Sequence, residues 1–107
     1  MREIEIHRLL NHQHIVGFEH YFEDAENVYI LLELCQNQSL NELLIRRKRL
    51  VELEVQCYVH QICNAIKYLQ SHRVIHRDLK IGNIFLNDKM EVKIGDFGLA
   101  IKLENDG

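Results

Sequence analysis

Proline is absent from these 107 residues, glycine is scarce at five, and cysteine occurs three times. Cys35, Cys57 and Cys63 are odd in number and form no C-x-x-C pair, which argues against a disulfide framework or a cysteine-ligated zinc site. No apolar run approaches the roughly 18 residues of a membrane span. The opening Met1-Arg2-Glu3-Ile4-Glu5-Ile6-His7 lacks the basic end and apolar stretch of a secretion signal. These absences set the expectation of a reducing cytoplasmic or nuclear setting and of no membrane partner. An excess of one charge is lacking too: the formal net charge is −3, which gives no electrostatic basis for binding nucleic acid. The dense basic run Arg46-Arg47-Lys48-Arg49 reads as the solvated end of a helix, with a nucleic-acid or nuclear-import patch as the alternative.

What is present suits one small globular unit. The apolar share of 47% and charged share of 27% are ordinary, and a disordered chain would be poorer in apolar residues. Ile6, Leu9 and Leu10 recur at helical spacing, so residues 2–10 read as the end of a helix. Two strands, 15–23 and 28–34, flank the polar turn 23–27 and suggest a hairpin. Ser39-Leu40-Asn41-Glu42 is a capping-box pattern, opening a helix to about Arg47. The longest helix candidate runs from Glu52 to about Ser71, with Val55, Tyr58, Val59, Ile62, Ile66 and Leu69 on one wide apolar face. Short strands 84–86 and 91–94 follow around a turn, and Gly95-Asp96-Phe97-Gly98 reads as a flexible hinge. Strands and helices clustered in this order predict an α+β fold.

The segment that carries chemistry is His76-Arg77-Asp78-Leu79-Lys80-Ile81-Gly82-Asn83, followed after a short hairpin by Asp96-Phe97-Gly98. It resembles the protein-kinase catalytic core, in which H-R-D-L-x-x-x-N precedes D-F-G. Phosphoryl transfer needs positioning and charge neutralisation more than covalent help. The resemblance therefore implies Asp78 as acceptor of the incoming hydroxyl proton and Lys80 as the cation beside the transferred group. It implies Asn83 and Asp96 as oxygen ligands of Mg²⁺, from two adjacent strand ends. Lys80 at its place is similar to serine/threonine rather than tyrosine kinases. Glu3 resembles the helix glutamate that pairs the phosphate-gripping lysine, with Glu5 as the competing carboxylate. Leu32-Glu33-Leu34-Cys35 resembles the hinge between lobes. There adenine of ATP would bond the Glu33 carbonyl and the Cys35 amide, beside Leu32 and above Phe85. His7, Phe18, His76 and Phe97 fall where kinases stack four side chains between lobes. His7, His12, His14 and His20 also cluster in sequence, but no carboxylate or thiol spacing completes a zinc site around them.

The whole chain resembles the polo-like kinase family. The pieces that carry the likeness include Glu3 to Arg8, His12 to Phe18, Phe22-Glu23-Asp24, Leu32 to Cys35, Asp78 to Asn83, Phe85-Leu86-Asn87 and Val92 to Ala100. This implies a partial protein-kinase-like fold: residues 1–34 as the remainder of a small β-rich lobe, and 35–107 as the hinge and the start of the helical lobe. It implies an ATP- and Mg²⁺-dependent enzyme acting on serine or threonine of proteins in cell-cycle control, with centrosome or spindle as a location. Two departures stand out. The long helix begins Val51-Glu52-Leu53-Glu54 where the family has Thr-Glu-Pro-Glu, and Gln70 replaces a histidine. A lost cap of this kind typically costs about 0.5–2 kcal/mol. No glycine-rich loop or phosphate-gripping lysine precedes Glu3, and no A-P-E follows Asp106-Gly107. An inactive fragment or pseudokinase serving as a binding module is therefore the competing reading.

Overall fold

The computed structural model describes residues 2–103. Asp106 and Gly107, named above, lie outside the described residues. Helix α1 spans Arg2–His7 and is shorter than the apolar spacing predicts. Leu9 N–H bonds the Ile6 carbonyl and Leu10 N–H the His7 carbonyl, so the last turn tightens to i→i+3 bonds. That turn buries Leu10 and leaves Leu9 exposed.

Strands β1 (Phe18–Glu23) and β2 (Val28–Leu32) form an antiparallel hairpin with an irregularity between Phe18 and His20. Both strands are shorter than predicted. Ile15 and Val16 instead run alongside Ile94: Val16 N–H bonds the Ile94 carbonyl at 2.9 Å, and Ile94 N–H the His14 carbonyl at 2.9 Å. The hairpin turn is built by Asp24, whose Oδ1 accepts from the N–H groups of Glu26 and Asn27. Those donors, with the Tyr29 hydroxyl at 3.1 Å, hold the Asp24 carboxyl below its ordinary range.

Helix α2 spans Leu40–Arg47. Ser39 Oγ accepts from Asn41 N–H at 3.2 Å, while the Glu42 carboxylate returns to Ser39 N–H at 2.9 Å. The basic run closes this helix. Arg47 forks onto Glu54 at 2.8 and 3.0 Å, and Lys48 takes a left-handed φ of 67° with its N–H on the Leu44 carbonyl.

Helix α3 covers Glu52–Ser71. It starts with half a capping box: Val51 offers no side-chain acceptor, but its N–H is met by Glu54 at 3.3 Å. The buried stripe differs from the predicted face. Tyr58, Ala65 and Leu69 are buried, Ile62 is packed against the core, and Val55 and Val59 stay exposed.

Strand β3 (Val74–Ile75) pairs antiparallel with β6 (Ile101–Lys102), and β4 (Ile84–Leu86) with β5 (Val92–Ile94). The β4–β5 hairpin is the centre of the molecule. Residues 14–16 border β5, and residues 37–39 border β4 through Leu86 N–H on the Gln38 carbonyl at 2.7 Å. Gln61 of α3 caps its edge, accepting from Val92 N–H at 2.7 Å. One apolar cluster gathers Ile6, Leu10, Ile15, Ala65, Leu69, Ile94 and Phe97; a second gathers Leu40, Leu43, Tyr58, Ile84, Leu86 and Val92. Ile62 packs against both. The arrangement is α+β, as predicted.

Candidate functional site

The chemistry-bearing residues come together around the β4–β5 hairpin. Asp78 lies in the loop after β3, and Asn83 closes a 3₁₀ turn, Ile81–Asn83, that runs straight into β4. Asp96 stands two residues beyond β5, and Gly95 N–H bonds the Asn83 carbonyl at 3.0 Å. The two expected metal ligands therefore stand at adjacent strand ends, as predicted.

Asn83 is buried, and its amide nitrogen donates to the Asp78 carbonyl at 2.8 Å and to Asp78 Oδ2 at 3.1 Å. That consumes the donor end of the amide and leaves its oxygen for other work. Lys80 Nζ stands 3.8 Å from Asp78 Oδ1, largely in solvent, where such a pair contributes little to stability. Asp78 N–H donates to His76 Nδ1 at 3.1 Å, so His76 carries its proton on Nε2, which meets the Gly95 carbonyl at 2.8 Å. One imidazole thus joins the Asp78 loop to the Asp96 turn. Arg77 adds a second tie, donating from Nε to the Leu99 carbonyl at 2.7 Å.

The Gly95–Gly98 segment is not the loose hinge that its glycines suggest. Phe97 is wholly buried and Gly95 is pinned at both N–H and carbonyl. Asp96 adopts φ 58° and Arg77 φ 70°, left-handed values that non-glycine residues hold only where surrounding structure imposes them.

The four predicted stacking residues form a continuous chain. His7 contacts Phe18 with ring centroids 5.5 Å apart and Phe97 at 4.6 Å, and Phe97 contacts His76 at 4.9 Å. His7 Nε2 meets the Val16 carbonyl at 2.7 Å. Burial pushes the His7 imidazole below its ordinary value, outweighing the Val16 carbonyl and the Glu3 carboxylate, which favour the charged form. The other histidines are engaged elsewhere: His14 Nδ1 meets the Val92 carbonyl, and His12 Nδ1 accepts from His14 N–H. Among the described residues no three His, Cys, Asp or Glu side chains are arranged to hold a metal.

A cavity of about 410 Å³ is lined by Glu3, Val16, Leu32, Glu33, Cys35, Phe85, Gly95 and Asp96. Glu3, Leu32, Glu33, Cys35, Phe85 and Asp96 were each singled out in the sequence, and they meet in this one space. Glu3 lies over the Asp96 turn: a Cβ built on Gly98 would stand 3.2 Å from Asp96 Oδ1 and 4.0 Å from Glu3 Oε1. Among the described residues no cation forms an ion pair with Glu3. Among the described residues no group bonds the Glu33 carbonyl or the Cys35 N–H. Burial, and next the Glu33 carboxylate, push the Cys35 thiol up, so it stays neutral. The cavity joins apolar walls from Val16, Leu32 and Phe85 to the carboxyl-bearing Glu3 and Asp96, a lining suited to a ligand with an apolar ring and polar or charged groups. Asn83 and Asp96 alone are too few ligands for a closed Mg²⁺ site, which suits an ion that also takes phosphate oxygens.

Sequence reasoning missed Val16, Gly95 and Lys93. Gly95 has a steric cause. A Cβ there would fall 2.8 Å from a Phe85 ring carbon and 3.1 Å from Val16 Cγ2, both cavity walls. Gly95→Ala is expected to push the Phe85 ring into the slot, lowering stability by about 1–3 kcal/mol, the usual range for overpacking, and weakening adenosine nucleotides. Thermal unfolding with a nucleotide titration checks this; both unchanged would mean that Phe85 has room to retreat.

The protein kinase domain family model matches residues 1–107, and the chain belongs to that family. Within it the chain is polo-like in sequence. It is 57% identical to the serine/threonine-protein kinase polo of Drosophila melanogaster over 99% of its own length and 18% of that protein's. It is 59% identical to the serine/threonine-protein kinase PLK1 of Xenopus laevis, over 98% of this chain and 18% of that one. A Zea mays protein described as probable serine/threonine-protein kinase CCRP1 is 70% identical over 98% of this chain and 17% of its own. The chain thus spans less than a fifth of the length of these relatives.

Proposed function

We propose that this chain is the part of a serine/threonine protein kinase that holds the adenine of ATP, the catalytic loop and the Mg²⁺ ligands, and that the complete enzyme moves the γ-phosphoryl of ATP to a protein hydroxyl. The single observation that carries the reading is the shared cavity. Residues distant in sequence, Glu3, Leu32, Cys35, Phe85 and Asp96, line it together, and Asn83 and Asp78 adjoin it through Gly95.

In this reading Cys35 N–H and the Glu33 carbonyl orient adenine, and Phe85 forms the floor. Residues 1–34 and 35–107 are then the two sides of the hinge. Bound Mg²⁺ would neutralise phosphate charge, held by the Asn83 amide oxygen and the Asp96 carboxylate. Asp78, held by Asn83, accepts the proton of the attacking hydroxyl, and Lys80 steadies the charge on the moving group. A cell-cycle role, with action at centrosome or spindle, is proposed from the sequence resemblance to the polo-like family alone.

The test is a pair of titrations on a complete kinase domain carrying this segment. Mg²⁺ is expected to bind at most weakly without nucleotide and to tighten with ATP, and Asp96→Asn should abolish the tightening. Tight Mg²⁺ binding in the absence of nucleotide would sink the metal assignment.

A further inference from the structure

Glu33 borders two spaces. It lines the candidate nucleotide cavity, and behind the hinge it lines a second cavity of about 470 Å³ with Arg8, His12, Gln13 and Lys93. Three contacts fix this one residue. Its N–H donates to the Gly17 carbonyl at 2.8 Å, its Oε1 accepts from Gly17 N–H at 2.9 Å, and its Oε2 stands 3.3 Å from Lys93 Nζ.

Lys93 is the unusual partner. It lies in the middle of β5, opposite Phe85 in the ladder and three residues before Asp96, and it is only 8% exposed. A lysine so buried is costly unless its charge is met. Among the described residues, Glu33 is the carboxylate that forms an ion pair with it. A residue needed only to fill the interior would not carry an ammonium group at this depth. The same strand that ends in the Asp96 turn thus reaches across to the hinge and holds it by a side chain.

We propose that Lys93 and the Glu33 carboxylate form a positioning clamp that fixes the Glu33 main-chain carbonyl and thereby sets the adenine selectivity of the nucleotide site. The clamp rests on the reading of this hinge as the adenine contact. Adenine offers an exocyclic N–H to that carbonyl, where guanine offers an oxygen. A carbonyl held still rewards the first and repels the second, since a site built to receive a hydrogen bond discriminates strongly against a ligand that cannot supply it. Without the ammonium, the Glu33 side chain keeps only Gly17, and its peptide gains freedom to turn.

The experiment measures KM for ATP and for GTP in a complete kinase domain carrying this segment, as wild type, Lys93→Met and Lys93→Arg. KM does not depend on the fraction of protein folded, so loss of stability alone leaves both values in place. Lys93→Met is expected to raise KM for ATP about 3–10-fold, the scale of one misaligned hydrogen bond. KM for GTP should change less than about twofold on the same scale, so that the preference for ATP narrows. Lys93→Arg should recover most of the preference. Equal shifts for both nucleotides, or none, would overturn the clamp. Should Lys93→Met give no folded protein, Glu33→Gln replaces it, keeping an acceptor for Gly17 N–H while removing the charge; the same narrowing is expected and equal shifts again refute. A wild-type domain that does not use ATP overturns the nucleotide-site reading itself and the clamp with it, and is recognised before any variant is compared.

Discussion

Asp78→Asn in a complete domain is expected to lower turnover by about 10²–10⁴-fold, the range for a positioned general base, with little change in ATP affinity. The separation of the two effects follows from the hydrogen bonds. Asn83 donates to both the Asp78 carbonyl and Oδ2, and the backbone half of that pair survives the substitution. The new amide is the same shape, and its oxygen can still accept from Asn83. His76 keeps the loop in place through Asp78 N–H, which is also untouched. Asn83 therefore keeps the position from which it is proposed to ligate Mg²⁺, and the cavity walls do not include the altered side chain. What disappears is basicity and the charge opposite Lys80, 3.8 Å away. Steady-state kcat and an ATP titration separate the outcomes. Turnover within a few-fold of wild type would mean that another group takes the proton. A parallel loss of ATP affinity would make Asp78 a structural post rather than a base.

The parts of this architecture legible in the sequence were those set by local pattern. Helix α3 begins and ends where its apolar period places it, and β4 is a run of apolar residues with a polar turn after it. The catalytic segment was legible as a resemblance, because its residue types at their spacing match those of the protein kinase domain, the family to which the chain belongs. What was not legible is long-range. The β3–β6 pair joins Val74 to Lys102 through two-residue strands, too short to show a period. The buried stripe of α3 shifts toward Ala65 because the β4–β5 hairpin and α1 cover that side, which no helical spacing reveals. Lys93 reads as an ordinary charge between Val92 and Ile94 until its strand is placed behind Glu33. The fixed Asp96 turn was mistaken for a loose one because glycine signals freedom. Here Gly95 is present for close approach to Phe85, and the left-handed residue is Asp96 itself.

These 107 residues expressed by themselves are expected to transfer no phosphoryl group. Catalysis of this kind rests on orientation and on electrostatic clamping of the phosphates rather than on covalent help. The polypeptide holds the residues proposed as base and metal ligands, but Glu3 has no cation paired with it among the described residues. Its lysines all follow the hinge in sequence. Among the described residues no cation therefore plays the phosphate-gripping part that Glu3 is proposed to support. Stability points the same way. The β1–β2 hairpin stands as a two-stranded ribbon, and Phe22, Tyr29 and Leu31 are exposed on it. Such a ribbon is marginal in water without a third strand or a packed face. Along α3, Leu53, Val55 and Val59 face solvent, and a further apolar groove of about 220 Å³ opens between Ile66, Leu69, Val74 and Leu79. Exposed apolar surface on this scale favours association over a monomeric fold. Weak ATP binding, a shallow unfolding transition and no transfer should therefore appear together. A radiolabelled phosphate-transfer assay on the purified polypeptide, with its Asp78→Asn form controlling for contaminating kinases, decides it. Transfer above that control would show that the clamping of phosphate needs no lysine beyond those present, and the role assigned to Glu3 would fall with it.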